Sequence, residues 1–383
     1  MVSAEKVRAL SELASYDMEQ EEQLKHIPLG SSGPLHIYEA KTPMGKCTLF
    51  KTLMTNKCKM DCKYCVNSHC SKSKAVWKYT PQELANTFMG IYRNRTVQGL
   101  FLSSSIEDPV PSMESIIESA YILRIKMRYK GYMHLKILPG STQDQVKRAM
   151  QYADRVSINL ETVSPSHLSE IASNKDFKND ILKRQAWVRG FQSRFKRPGN
   201  NSQGAPTRSN ISHVSQVMAG VNGESDQDIF ALAASEYDHM NLTRMYYSAF
   251  KPVLGTPLER NSAAPLWRQN RLYQLDWLYR VYKYSRDEVQ PAFFDNGFLQ
   301  NMDPKVAIAR TNFERPLEIN GAEERDLIRV PGIGPKTAKS LAKSKKKITS
   351  MVTLKRHGVV LGRALSFIKI NGLHQTTLAF YNY

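Results

Sequence analysis

No uninterrupted apolar stretch in the 383 residues approaches the ~18 that a membrane-spanning helix requires, so an integral membrane protein is not expected. The first 22 residues are acidic, where a secretory leader is cationic and then apolar, and a cytoplasmic location with no membrane partner is the expectation. Cysteine is scarce. There are five in all, an odd number, and four (Cys58, Cys62, Cys65, Cys70) crowd together, which suits a metal site and argues against a disulfide framework. Acids are also short: 35 Asp and Glu against 54 Lys and Arg leave a formal charge of +19. Such an excess either coats a solvated surface or meets a polyanion, nucleic acid before membrane, because no basic amphipathic anchor stands out. The 41% hydrophobic content is enough for a packed core and excludes disorder throughout.

From position 47, short apolar runs (47–54, 99–103, 132–138, 155–160, 212–221, 242–250) alternate with helical patterns (81–93, 112–129, 143–152, 177–195, 226–237). This alternation predicts successive βα units on a parallel sheet or barrel, an α/β fold. The first helix has a clear start: Thr80 as N-cap, Pro81 at the first helical position and Glu83 completing a capping box. Cys47, in an apolar run, reads as a small buried core residue. A Gly, Pro, Asn and Ser-rich stretch at 197–210 reads as a surface loop. An aromatic helix is predicted over 267–284, with Leu272, Leu275 and Tyr279 on one face. The segment 316–383 holds twelve Lys or Arg against four acids, which moves the reading of the charge toward a nucleic-acid-binding unit. The boundaries expected are a helical extension at 1–45, a barrel at 46–258, a helical connector at 259–315 and a terminal domain at 316–383.

Cys58, Cys62 and Cys65 directly follow the first predicted strand, where a βα loop sits at the mouth of a barrel. Three thiolates on one loop can hold three corners of an iron–sulfur cubane and leave the fourth iron open to chelation by S-adenosylmethionine. The competing reading is a zinc site with Cys70 or His69 as fourth ligand. With this spacing, and with Tyr64 in the aromatic place before the third cysteine, the sequence resembles the radical S-adenosylmethionine superfamily. The resemblance implies a partial (βα)6 TIM-like barrel, a [4Fe-4S] cluster and S-adenosylmethionine as cofactors, and an electron donor such as a ferredoxin or flavodoxin. It also implies cofactor contacts from Tyr64, from Ser103 and Ser104 where the superfamily has glycine, from Ser157, Asn159 and Glu161 on one face of the fourth strand, and from Gly220 under the adenine. Solvent-facing polar residues and a close-packed glycine are the plainer readings of the same positions.

Residues 323–339, with Gly332, Gly334, Lys336, Thr337 and Lys339, resemble the helix-hairpin-helix module of DNA repair and recombination proteins. There the glycines permit a tight turn whose N–H groups, with the following helix start, receive a phosphate. A degenerate second copy is predicted at 354–370, with its helix at 363–370, so the terminal domain is expected to be all-helical. Packing or protein interaction is the alternative use. Over nearly its full length the sequence resembles the DNA modification or repair radical S-adenosylmethionine proteins with a C-terminal helix-hairpin-helix. That resemblance implies DNA as substrate, a 5′-deoxyadenosyl radical as reagent, and a uracil-DNA-glycosylase-like protein as partner. An enzyme acting on RNA, and a non-catalytic iron–sulfur DNA-binding protein, are the alternatives.

Overall fold

The computed structural model describes residues 2–15, 24–28, 34–42, 45–72, 75–195, 211–344 and 346–373. The loop expected at 197–210 lies outside them. The chain divides into two compact units, 1–224 with 235–265, and 225–234 with 266–383.

The first unit runs through α1 (Ala4–Ser15), β1 (Leu24–Pro28), β2 (Pro34–Thr42), β3 (Gly45–Leu53), α2 (Pro81–Arg93), β4 (Gly99–Ser103), α3 (Pro109–Tyr121), β5 (Tyr132–Lys136), α4 (Gln143–Tyr152), β6 (Arg155–Ser157), α5 (Pro165–Ile171), α6 (Lys183–Gln192), β7 (Ser212–Ala219), α7 (Asp226–His239, whose first turns belong to the second unit) and β8 (Arg244–Ala249). The eight strands form one open sheet in sequence order. β3 to β8 are parallel, the six predicted βα strands. The helical extension expected at 1–45 is corrected: beyond α1, β1 and β2 pair antiparallel with each other and β2 with β3. The physical reason is the prolines at 28 and 34, which cannot continue a helix.

Thr80 caps α2 as predicted: its hydroxyl accepts from the Glu83 N–H at 3.2 Å, and the Glu83 carboxylate accepts from the Thr80 N–H at 2.9 Å. The parallel register pairs Lys51 with Phe101, Phe101 with His134, and His134 with Arg155, so these share one polar face of the sheet. Phe50, Leu100, Leu102, Met133, Leu135 and Val156 occupy the opposite face and are wholly buried; each such side chain contributes roughly 1.5–3 kcal/mol. Cys47 is corrected from a core residue to a partly exposed one, because it stands near the start of β3 on the polar-face parity. The predicted helix at 177–195 opens as a π-turn, Phe177–Leu182, before α6.

The second unit holds α8 (Leu266–Arg280), α9 (Pro304–Asn312), β9 (Leu317–Glu318), α10 (Glu324–Arg329), α11 (Pro335–Ala342), α12 (Met351–Arg356), α13 (Leu361–Ala364) and β10 (Ile368–Lys369). Leu272 and Leu275 are buried as expected. A buried Arg268–Asp226 ion pair of 2.6 Å ties α8 to the first turn of α7. The expected connector 259–315 is not a unit of its own, since from Leu266 onward it belongs with the terminal residues. The all-helical expectation also needs correction. The helix predicted at 363–370 stops at Ala364, and Ile368–Lys369 pairs parallel with Leu317–Glu318, because β-branched Ile368 is buried in a strand rather than a helix turn. Among the described residues no helix is long and apolar enough to cross a membrane.

Candidate cluster and cofactor site

The cysteine loop leaves β3 and is tied down on two sides. On one side, Met54 N–H donates to the Ser103 carbonyl at 2.9 Å, Ser105 N–H to Thr55 at 3.0 Å and Lys59 N–H to Ile106 at 2.8 Å, which fixes the loop to the end of β4. On the other, Lys63 N–H donates to the Ile171 carbonyl at 2.8 Å. The Asp61 carboxylate there accepts from the Ser173 hydroxyl and, at 3.0 Å, from the Asn174 N–H. Burial alone would raise Asp61, but these hydrogen bonds outweigh it and hold the carboxyl below its ordinary value.

Cys62 is buried, whereas Cys58 and Cys65 are partly exposed. Burial raises Cys62, and burial together with the neighbouring Cys62 pushes Cys65 up to about 12. The three thiols are therefore close enough to perturb one another. Beside them Lys175 donates to Glu161 at 3.0 Å and to the Tyr64 hydroxyl at 3.3 Å. Lys175 favours the thiolate forms of Cys62 and Cys65 and is itself raised, against its burial, by Cys62 and Glu161. Burial, reinforced by Cys62 and Glu161, keeps Tyr64 a neutral phenol. Glu161 sits at φ +68°, a left-handed conformation that a non-glycine residue adopts at a cost of about 1–2 kcal/mol. Its ion pair with Lys175 helps hold it there.

The donor set fits a [4Fe-4S] cluster held at three corners: three thiols on one pinned loop, in mutual range, with a cation beside the buried one that offsets thiolate charge. Iron coordination deprotonates such thiols outright. For the zinc alternative, His69 and Cys70 are both exposed and their side chains lie 3.4 Å from each other. Among the described residues no three His, Cys, Asp or Glu side chains close around a single ion.

Ser103, Ser104 and Ser105 are buried at the end of β4, and the Ser104 hydroxyl donates to the Ser105 carbonyl at 2.8 Å. Ser157 and Asn159 are buried as well. Ser157 Oγ lies 2.9 Å from His134 Nε2, and Asn159 Oδ1 accepts from Lys136 Nζ at 2.7 Å. The structure thus brings Tyr64 and Glu161 to the cysteines and sets Ser157 and Asn159 in a polar row below Glu161 on β6 and its continuation. Gly220, at φ +87°, has its N–H taken by the Glu224 carboxylate, which also accepts from Val221 at 3.2 Å and Asn222 at 3.0 Å. The carboxylate thereby shapes the turn after β7. Lys175 and Asp61 were not predicted. Tyr64 lies 111 residues from Lys175, and Ser173 lies 112 from Asp61, so no local pattern announces these contacts.

In the second unit, α10 and α11 flank the turn 330–334. Gly332 has φ +80°, and a Cβ there would meet the Val360 carbonyl oxygen at 2.5 Å. Val360 N–H donates to the Gly332 carbonyl at 3.0 Å, which locks this turn to the one preceding α13. Lys305 of α9, buried, donates to the Ile333 carbonyl at 2.6 Å and braces the turn from within. Gly334 caps α11, and Lys336 and Lys339 are exposed. The Thr337 hydroxyl donates to the Gly358 carbonyl at 3.3 Å, a contact that joins α11 to the turn after α12.

Residues 52–189 match the protein family described as the Radical SAM superfamily. Three similar solved structures are methylornithine synthase (PylB), at 13% identity and TM-score 0.46 over 60% of this chain and 62% of that one; the FeFe-hydrogenase maturase HydG from Carboxydothermus hydrogenoformans, at 14% and 0.46 over 62% and 52%; and the radical S-adenosylmethionine methyltransferase TsrM from Kitasatospora setae, at 14% and 0.38 over 55% and 38%. The match spans less than two thirds of each of those chains. No curated protein matches the sequence. Residues 52–189, which include the cysteine loop, Tyr64, Glu161 and Lys175, are thus similar to the domain of the Radical SAM superfamily.

Proposed function

We propose that the protein is a radical S-adenosylmethionine enzyme acting on nucleic acid, DNA in the first place, with the cluster held by Cys58, Cys62 and Cys65. The observation that carries the reading is the pinned loop after β3, where three thiols, Tyr64 and the Lys175–Glu161 pair meet within the segment that matches the superfamily. Bound there, the cluster supplies one electron that splits S-adenosylmethionine into methionine and a 5′-deoxyadenosyl radical able to abstract hydrogen. The chain's own part is positional. Asp61 and the β4 end hold the loop, Ser103, Ser104, Ser157, Asn159, Glu161 and Gly220 surround the cofactor, and the sheet keeps water from the reacting atoms.

The DNA assignment draws on the second unit. We read its paired turns as a helix-hairpin-helix in which Gly332, Gly334 and the start of α11 receive a backbone phosphate, with Lys336 and Lys339 beside it and Thr337 joining the hairpins. Such contacts bind with strong salt dependence and little sequence preference. A uracil-DNA-glycosylase-like protein is the partner this reading suggests, and a ferredoxin or flavodoxin the electron source. The test is anaerobic: reconstituted protein with reductant, S-adenosylmethionine and duplex DNA should release 5′-deoxyadenosine, and Cys62→Ala should release none. Silence of the intact protein with every nucleic acid tried, or equal release from Cys62→Ala, would overturn the proposal. Stimulation by transfer RNA and not by duplex DNA would replace the substrate.

A further inference from the structure

The cysteine loop crosses the ends of the parallel strands and is held by the backbone of three lysines. Lys59 N–H donates to the Ile106 carbonyl after β4 at 2.8 Å, Lys63 N–H to Ile171 at the end of α5 at 2.8 Å, and Lys72 N–H to Gly255 beyond β8 at 2.9 Å. All three lysines are exposed. Lys59 follows Cys58 and Lys63 follows Cys62 in sequence, while Cys58 and Cys65 are themselves partly exposed. Positive charge thus stands at the surface within one residue of two of the thiols.

The acids nearby are engaged elsewhere. Asp61 accepts from Ser173 and Asn174, Glu107 takes both Lys57 at 2.6 Å and Lys78 at 3.0 Å, Glu170 accepts from Asn222 at 3.3 Å, and Glu259 accepts from the Gly255 N–H at 2.7 Å. Among the described residues Lys59, Lys63 and Lys72 have no ion pair. The stem of Lys72 packs on the turn that holds Gly255, where an added Cβ would lie 3.6 Å from Lys72 Cβ. In that turn Leu254 is 83% exposed, more than any other large apolar residue described. Val76, also exposed, stands at the base of the loop, since Asn56 donates to the Ala75 carbonyl at 2.9 Å and accepts from the Trp77 N–H at 2.7 Å. A single exposed leucine decides nothing, but aliphatic side chains set beside unpaired lysines are the composition of a protein interface. A phosphate backbone would use the lysines and leave Leu254 and Val76 without a contact.

We propose that the exposed face of the cysteine loop, with Lys59, Lys63, Lys72 and the neighbouring Leu254, is the docking surface for an acidic one-electron carrier protein. The inference rests on the reading of Cys58, Cys62 and Cys65 as the cluster site and deepens it by naming where the electron enters. Tyr64, Glu161 and Lys175 meet the buried Cys62, and the cofactor is assigned to that side. The approach that remains is across the exposed residues of the loop. In the step the carrier is oxidised by one electron and the cluster is reduced by one, with no bond formed or broken. Electron transfer weakens steeply with distance, so a carrier seated on the residues next to Cys58 and Cys62 has a short path. Opposite charge on the two faces speeds the encounter and orients it.

The test uses the full-length, cluster-loaded protein, anaerobic and without S-adenosylmethionine or nucleic acid, and runs the electron in its downhill direction. Protein reduced with dithionite and freed of it is mixed in stopped flow with oxidised flavodoxin, an acidic carrier, whose flavin takes up one electron and one proton to give the semiquinone that is read. Benzyl viologen, a small cation that needs no docking, is the control acceptor. The flavodoxin rate of the parent should fall as salt is raised. The triple variant Lys59→Glu, Lys63→Glu, Lys72→Glu should slow it by about tenfold or more and should not slow the viologen rate. Leu254→Ser should slow it a few-fold. If the triple glutamate variant does not hold a cluster, the triple glutamine variant takes its place, with a smaller loss in the same direction. A variant that reduces flavodoxin as fast as the parent overturns the docking surface, and loss of duplex DNA binding by that variant would assign the face to nucleic acid. A parent that reduces viologen but not flavodoxin also overturns it, and leaves the cluster reading intact. A parent in which dithionite reduces no cluster overturns both.

Discussion

Lys175→Met, close in length and without charge, isolates the cation beside the cysteine loop. It removes the 3.0 Å ion pair to Glu161 and the 3.3 Å bond to the Tyr64 hydroxyl. The side chains of the pair are only 7% and 13% exposed, so solvent screening does little to relieve the carboxylate left behind. Breaking one side of a buried pair costs about 3–5 kcal/mol. At roughly 2–4 °C per kcal/mol for a unit of this size, the first thermal transition should fall by about 6–20 °C. The double variant Lys175→Met with Glu161→Gln leaves no orphaned charge and should recover most of the loss, a coupling of about 2 kcal/mol or more. Circular dichroism melts of the cluster-free full chain, in a double-mutant cycle, make the comparison. A single variant that loses less than about 1 kcal/mol, or a double variant that merely sums the two singles, would refute the reasoning.

Three further expectations follow from other residues. Burial raises Glu236 to about 7, and its Oε2 has no partner. The folded state thus holds this proton more tightly than the unfolded chain, and stability should decline as pH rises from about 4.3 through the folded value; Glu236→Gln should remove the decline and be more stable at pH 8 by roughly 2–4 kcal/mol in denaturant titrations. Gly332→Ala joins a left-handed φ of +80° to a Cβ 2.5 Å from the Val360 carbonyl oxygen, while Gly321→Ala at φ +86° meets nothing within 4 Å. The first should cost the second unit about 2 kcal/mol or more and the second about 1, and equal melts would contradict the clash. Asp61→Ala should speed hydrogen exchange at the Lys63 amide. In the parent protein that protection should be present above the ordinary carboxylate value and fall away as pH drops through the lowered value of Asp61.

Much of the site was legible because its signals are local. Cys58, Cys62 and Cys65 lie within one loop, the Thr80 capping box spans four residues, and Gly332 marks its own turn. The edge strands β1 and β2 were not read, because β1 has only five residues and in β2 the apolar alternation of Leu35 and Ile37 breaks at Glu39, too little pattern to outweigh a helical reading. The short helix α13 and the strand Ile368–Lys369 were merged into one helix, because apolar residues there fit either period and only pairing with Leu317–Glu318 decides between them.

The sequence by itself determined the six-fold βα alternation, the thiol loop after its first strand and the concentration of basic residues toward the C-terminal segment, since spacing and composition are properties of neighbours along the chain. Only the tertiary structure decided that Lys175 joins Glu161 and Tyr64 beside Cys62, that Asp61 is the loop's anchor, and that Arg155 and Arg244 from separate strands share Tyr246. Those contacts join residues up to 113 positions apart, and their chemistry comes from burial and the register of parallel strands, neither of which exists until the sheet has formed.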